Sequence, residues 1–456
     1  MKPVLRIPVY RRLFAAYTLN EFAFMVGTVA LTLLIYKRTG SAFGATGFFL
    51  CSQFVPALIS PWVVARLDQL PPRPVLPLLY WLEAVIFVAL AALAGRHFNL
   101  VTVLALTLVN GVLALTARSL ARATTVAVTS AAGLLREGNA LANAGFSVAF
   151  LIGPGLGGAA VAAGGTSQAL LGDAVVFGVV GLTLATATGM PQPRAARAPA
   201  RGRVRAALEY ARERPSIRGL LILQTAAILF FTVSTPVEVV LVTRSLHAGA
   251  AAYGAMVSAW GAGAVFGAAV YARWHVLPQR NLMALGSGLL GVGFVVMAIS
   301  PTLAVAIVGA ALAGIGNGIE SVAGRTAVQE LVEERWMALI MSVQESMFQA
   351  IPGAGILLGG TIAALASPRV ALGLAGAGSL AVTALVWVLL AELGTRPAPA
   401  PDAAPPPEPL GSPVEPETQI EDDSADGPGT NGEAEADGTN GSTGRDHAAT
   451  PAARHQ

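Results

Sequence analysis

Apolar stretches of about twenty residues recur along most of this chain, separated by short polar breaks. A membrane helix needs about 20 mostly apolar residues. Twelve stretches qualify, near 13–36, 44–66, 75–95, 100–123, 139–162, 168–190, 219–243, 252–274, 282–300, 302–324, 336–364 and 369–392. The pattern predicts an all-α membrane protein with twelve transmembrane helices.

A repeat divides the twelve into six and six. Asn110-Gly111 followed by Arg118 in span 4 matches Asn317-Gly318 followed by Arg325 in span 10, an offset of 207. Ala65-Arg66 and Ala272-Arg273, at the ends of spans 2 and 8, share that offset. Gly153, Gly157 and Gly158 match Gly355, Gly359 and Gly360 at an offset of 202. Parallel six-helix halves are one known plan for membrane transporters. The expected architecture is two pseudo-symmetric six-helix bundles.

The glycines of spans 5 and 11 sit in unusual company. Gly153-Pro154-Gly155-Leu156-Gly157-Gly158 and Ile351-Pro352-Gly353-Ala354-Gly355 lie inside apolar helices. In a membrane, neighbouring helices re-satisfy backbone groups freed by Pro. Small residues let helix backbones approach closely. Gly153-x-Gly155-x-x-Gly158 also fits a dinucleotide fingerprint, but no strand precedes it, so close packing is the better reading.

Composition agrees with a lipid environment. Charged residues are 12% and hydrophobic ones 54%, against roughly 25% charged in soluble domains. Cys51 is the only cysteine, which excludes an internal disulfide and a multi-cysteine metal site. The His residues form no zinc motif, and neither Lys2 nor Lys37 sits in a P-loop. No metal, cofactor or ATP site is expected in this chain, and no enzymatic activity.

The charge is split. Residues 1–396 carry +13 and residues 397–456 carry −10. The basic balance therefore describes no single surface, and nucleic-acid binding does not follow from it. Lys and Arg concentrate on cytoplasmic segments of membrane proteins. With the N-terminus inside, 22 fall on inside segments and 5 on outside loops. The expected location is the inner (plasma) membrane, multi-pass, with both termini cytoplasmic. Met1–Arg12 is basic and no small-residue cleavage site follows, so the first span is expected to be retained.

These features give an N-terminal bundle at 1–190, a cytoplasmic linker at 191–218, a C-terminal bundle at 219–394 and an acidic cytoplasmic tail at 395–456. The linker is rich in Arg, Pro and Ala, and 203–214 reads as a short amphipathic helix on the anionic leaflet. The tail has too few large apolar residues to fold and is expected to be disordered.

Local motifs sharpen the picture. Leu31-Thr32-Leu33-Leu34-Ile35-Tyr36 leads to Thr39-Gly40-Ser41, and span 5 reads Gly153-Pro154-x-x-Gly157-Gly158 with Gly145 upstream. On these residues, over about 8–394, the chain resembles the major facilitator superfamily, and within it the bacterial drug- and siderophore-exporter-like members. The resemblance makes span 5 an antiporter-type gate helix, although Ala149 stands where a Gly is usual. In the loop between spans 2 and 3, Asp68 and Arg73 fit the family's charged motif. Val64 and Gln69 replace its Gly and Arg, and Pro71-Pro72 occupies its turn. His275 stands where the second half would carry Asp68. The proton-antiporter branch often has an Arg mid-way along span 4. Here that stretch, Leu106-Thr107-Leu108-Val109-Asn110-Gly111, holds no Arg, which counts against proton coupling by analogy, and Arg118 falls near the inner end of the span as a gate or orientation residue.

Ionisable residues inside lipid mark functional sites by default. Asn20 and Glu21 in span 1, Glu83 in span 3, Asp173 in span 6, Glu238 in span 7 and Glu345 in span 11 are the candidates for substrate contact or proton coupling. Glu320 and Arg325 near the inner end of span 10 are expected to pair at the inner gate, with Asp68, Arg73 and Arg118 as further gate residues. The Trp residues read as interface anchors. Phe22, Phe24, Phe230 and Phe231 fit either an apolar cavity wall or lipid.

The expected function is a secondary active transporter that exports an amphipathic small molecule by alternating access, with protons as coupling ion. Uptake on the same fold stays open. So does a non-transporting scaffold or sensor whose acidic tail is the working end.

Overall fold

The computed structural model describes residues 3–67, 70–95, 98–191, 209–274 and 277–390. Asp68, His275, most of the expected linker and the tail from 391 lie outside the described residues.

The helices begin and end where local chemistry says they should. Helix α1 (Pro8–Thr39) starts on a proline at its first position and stops at Gly40, whose φ of 61° is left-handed. Ser41 then caps α2 (Ala42–Phe49) by accepting from Phe43 N. A π-helical turn at Leu50–Phe54 joins α2 to α3 (Val55–Leu67), so these three pieces make one span. Asn99 caps α5 (Leu100–Ala131), which follows α4 (Pro72–Gly95).

Helix α6 (Leu135–Ala185) is too long for one crossing. Its backbone breaks at Gly165, φ 78° and ψ 169°, a conformation open to glycine. Eleven described helices are long and apolar enough to cross a membrane, one of them the 49-residue stretch Glu137–Ala185. Divided at Gly165, that stretch is spans 5 and 6, and the total is twelve.

The second half repeats the plan. Pro236 interrupts span 7, giving α7 (Pro215–Ser234), α8 (Val237–Val240) and a π-helical turn at Leu241–Ser245. Then come α9 (Ala250–Trp274), α10 (Gln279–Ile299), α11 (Leu303–Leu331), α12 (Glu334–Leu365) and α13 (Pro368–Leu389). The fold is all-α, with twelve transmembrane helices in two six-helix bundles.

Helix ends differ from the hydropathy segments. Span 4 runs to Ala131 and span 10 to Leu331, each about two turns beyond the apolar stretch. Hydropathy registers where lipid ends, whereas backbone hydrogen bonding continues into the polar zone. Arg118 is therefore well inside α5, not near its end.

Large apolar side chains such as Val101 and Trp62 remain 76% and 72% exposed. Exposure on that scale across a helix bundle suits lipid tails, not water.

The two ends of the molecule are unlike. One carries the tight turns at 40–41, Gly165, 246–249 and 300–302; the other carries the linker. A single apolar core runs through the first half and into the tight-turn end of the second, through Val233, Val240, Tyr253, Phe294 and Ile356. Second-half residues toward the linker end, including Ile217, Met283, Val328 and Ile340, form a separate core. The halves are fused at the tight-turn end and packed independently at the linker end.

Candidate functional site

The glycine-rich helices make the fusion. Gly153 and Gly157 of α6 face Met25 and Val26 of α1, within their own half. Gly355 and Gly359 of α12 face Thr232 and Val233 of α7, residues offset by 207 from Met25 and Val26. Gly158 instead faces the other half: a Cβ there would stand 2.6 Å from Ala250 O and 2.9 Å from Gly254 Cα. Only a bare backbone allows that approach. Ser258 Oγ, on the same face of α9, accepts from Gly155 N at 2.8 Å. Gly360 also faces the other half, where it meets the Thr46 side chain of α2. Gly145 sits lower on α6 and packs on Thr18 and Phe14.

Below these crossings lie two adjoining cavities. The first, about 360 Å3, is lined mainly by the first half, and the second, about 470 Å3, mainly by the second. Phe24, Met25, Thr28, Gln53, Phe150 and Phe348 belong to both walls. The π-helical turn matters here, because its extra residue turns Gln53 toward the cavities. Such turns often mark functional positions in helices.

The duplication carries through to the linings. Phe24, Thr28, Asn110 and Arg118 line the first cavity, and Phe231, Thr235, Asn317 and Arg325, each 207 residues on, line the second. Glu21 and Glu83 break the match, since their counterparts Ile228 and Leu290 are apolar.

Asn20, Glu21 and Glu83 all line the first cavity. Glu21 is buried, and its Oε1 lies 3.1 Å from Arg118 Nε. The N–H points off that line, so the contact is an ion pair rather than a hydrogen bond. The Arg118 guanidinium also lies 4.7 Å from the centre of the Phe24 ring. Arg118, expected near the inner end of span 4, stands on the cavity wall against the span 1 carboxylate. Glu238 lines the second cavity and accepts from Ser234 Oγ at 3.3 Å.

Other candidates fall elsewhere. Asp173 is buried in α6 opposite Gly27 and is not part of either lining; its Oδ2 has no hydrogen-bond partner. Arg73 is exposed in the first turn of α4. Asp68 and the Glu345 side chain lie outside the described residues. Glu320 and Arg325 both line the second cavity, but no ion pair joins them among the described residues. Five residues apart on a 3.6-residue helix, they point about 140° apart, so the expected pairing fails geometrically.

Sequence reasoning missed an amide chain. Gln344 Nε2 donates to Gln224 Oε1 at 2.6 Å, and Gln224 Nε2 donates to Gly324 O at 3.0 Å. The chain ties α12 to α7 and α11 on the wall of the second cavity. Trp260, read as an interface anchor, lines the same cavity, 5.5 Å from Phe231 and 5.1 Å from Phe150. The 207 offset pointed there, because it pairs Trp260 with Gln53 and Phe231 with Phe24.

Comparison with known proteins bears on this arrangement. The sequence profile of the Major Facilitator Superfamily matches residues 220–423. The nucleoside transporter NupG superposes with a TM-score of 0.68 at 11% identity, over 84% of this chain and 98% of that one. A bacterial homologue of the iron transporter ferroportin, in an inward-facing state, gives 0.65 at 14%, over 85% and 99%. The human organic anion transporter MFSD10 gives 0.56 at 19%, over 83% and 99%. The fold is that of the Major Facilitator Superfamily. No curated protein matches the chain in sequence. Phe348 and Pro352 of the second bundle reach the first cavity, and Phe24, Gln53 and Phe150 of the first bundle reach the second.

Proposed function

We propose that this protein is a secondary active transporter of the Major Facilitator type, which moves an amphipathic small molecule by alternating access. The observation that carries the reading is the pair of adjoining cavities between bundles fused at one end and separately packed at the other. Rocking the bundles about such a site exposes it to each side in turn. With the Arg-rich linker end cytoplasmic, the present conformation is the one that loads from, or releases to, the cytoplasm. The membrane is the cell's inner membrane in this reading.

Export driven by protons is the direction we favour. Its support is the span 5 run Gly153-Pro154-x-x-Gly157-Gly158, which resembles the antiporter-type motif, and the buried Glu21 on the cavity wall; the stretch Leu106–Gly111 of span 4 lacks the Arg that the proton-antiporter branch often carries. Glu21 and Glu238 are the coupling candidates, one on each cavity. The similar structures are named for nucleoside, iron and organic anion transporters, so the fold does not choose the substrate.

The test is a chemical panel screened for efflux in a strain deleted for the gene, with and without a protonophore. The hits are then measured in reconstituted vesicles. Glu21→Gln and Glu238→Gln should abolish gradient-driven movement while leaving insertion intact. Unchanged efflux by both variants removes them from the mechanism, and the absence of any transported compound removes the transporter reading.

A further inference from the structure

The first cavity holds four oxygens that the protein leaves unanswered. Glu83 is 0% exposed, and neither carboxylate oxygen meets a donor. Thr107 Oγ1 and Asn110 Oδ1, both on α5, are also buried and unpaired. All three residues line the same cavity. Among the described residues the one cation in that lining is Arg118, which pairs with Glu21 and lies over the Phe24 ring; its field reaches Glu83, but no ion pair does.

Such a group is costly to keep. An unsatisfied buried polar atom costs about 1–3 kcal/mol, and a charged one more. The fold does not demand it: the second half places Leu290 at the equivalent position of span 9 and still lines a cavity. The acceptors therefore await something that brings donors and positive charge.

The walls narrow the choice. Phe54, Phe87, Phe146 and Phe177 join Phe24 and Phe150 around the same space. Phenyl rings give no oxygen ligands to a metal ion, which for a hard cation must be supplied six or more at a time. They do attract an organic ammonium through their faces. A cavity of about 360 Å3 also suits a small organic molecule.

We propose that the first cavity is the head-group subsite for a substrate bearing a protonated amine on an aromatic or aliphatic body. Glu83 is its counter-charge, Asn110 and Thr107 accept its N–H groups, and the phenylalanines hold the body. The proposal rests on the transporter reading above and names its substrate class.

The test uses the full chain in lipid nanodiscs and three probes with one ring system: tryptamine, tryptophol and indole-3-acetate. They differ only in carrying an ammonium, a hydroxyl or a carboxylate. Calorimetric titration should show tryptamine binding at least tenfold more tightly than the other two. Glu83→Gln should erase that preference without lowering the melting temperature, and Glu83→Asp should keep part of it. Should Glu83→Gln not fold, Asn110→Leu serves, with a several-fold loss for tryptamine alone. Equal binding of the three, no binding of any, or a preference that survives Glu83→Gln overturns the proposal. So does a Glu83-dependent heat from sodium chloride titrated into a dilute, amine-free potassium buffer, which would assign a metal cation instead. Counterflow in vesicles separates the two readings. Tryptamine that binds through Glu83 but never moves leaves the subsite and sinks the transporter. Movement of indole-3-acetate in preference to tryptamine sinks the subsite and leaves the transporter.

Discussion

Arg118 and Glu21 face each other across the first bundle, Nε to Oε1 at 3.1 Å, with 29% of the arginine side chain and 2% of the glutamate accessible. The pair ties span 4 to span 1 at the cavity wall. Removing one partner of a buried pair costs about 3–5 kcal/mol, because the other charge is stranded. Arg118 is partly solvated, so the lower figure applies. Arg118→Leu should lower the melting temperature in detergent and stop transport. Adding Glu21→Gln should restore much of the stability and none of the transport. A double variant no more stable than Arg118→Leu alone shows that the pair does not hold the helices.

A second expectation concerns the crossing of α6 and α9. Gly158 and Gly254 touch backbone to backbone, and a Cβ at Gly158 would stand 2.6 Å from Ala250 O. Neither backbone can yield as a flexible side chain would. Gly158→Leu should push the bundles apart at the tight-turn end and favour the opposite-facing state. Spin labels on Ser41→Cys and Gly249→Cys, in a Cys51→Ser background, report that separation. An unchanged distance distribution means the crossing is not the seal.

The architecture was legible in the sequence because lipid imposes a length and a polarity on every span. The repeat was legible because Asn110, Arg118 and the glycines kept their chemistry in both halves. Helix ends were not, since α5 and α11 continue past the apolar stretch that hydropathy detects. Glu320 and Arg325 do not pair for another reason: closeness in sequence is not closeness in space when five residues turn a helix by about 140°. Gln224 was invisible because a lone glutamine in an apolar run has no pattern, and Gln344 stands in a polar stretch beside Glu345 that names no partner. Only their meeting across 120 residues, at 2.6 Å, gives them meaning.

That meeting supports a third expectation. Both glutamines are buried. Gln224→Leu would leave the buried Gln344 amide without its acceptor, at about 1–3 kcal/mol for a stranded group, while Gly324 O keeps its place in the hydrogen-bond ladder of α11. Replacing both glutamines by Leu removes the stranded side-chain amide as well. The double variant should therefore be less destabilised than the sum of the singles, by melting temperature. Strict additivity would show that the two amides do not act as a unit.

The last expectation links the end of the central linker to α12, which lines both cavities through Phe348 and Pro352. Tyr210, in the short helical stretch 209–213, stacks on Trp336 at 4.9 Å, and its hydroxyl accepts from Glu333 N at 3.3 Å. Arg214 lies over the same ring at 3.9 Å and pairs with Glu333. The ion pair is the weaker element. Its side chains are 40% and 43% exposed, and such pairs contribute about 0–1 kcal/mol. Tyr210 is only 5% exposed and carries the stacking, the hydroxyl contact and the face that Arg214 covers. Tyr210→Ala should therefore lower the melting temperature far more than Arg214→Ala. It should also speed tryptic cleavage after Arg212. Because Trp336 stands in the first turn of α12, freeing Tyr210 should also loosen that helix and change the transport rate. Equal effects of the two variants would place the strength of the clamp in the ion pair. A faster cleavage with an unchanged rate would make it a tether with no bearing on the cavity.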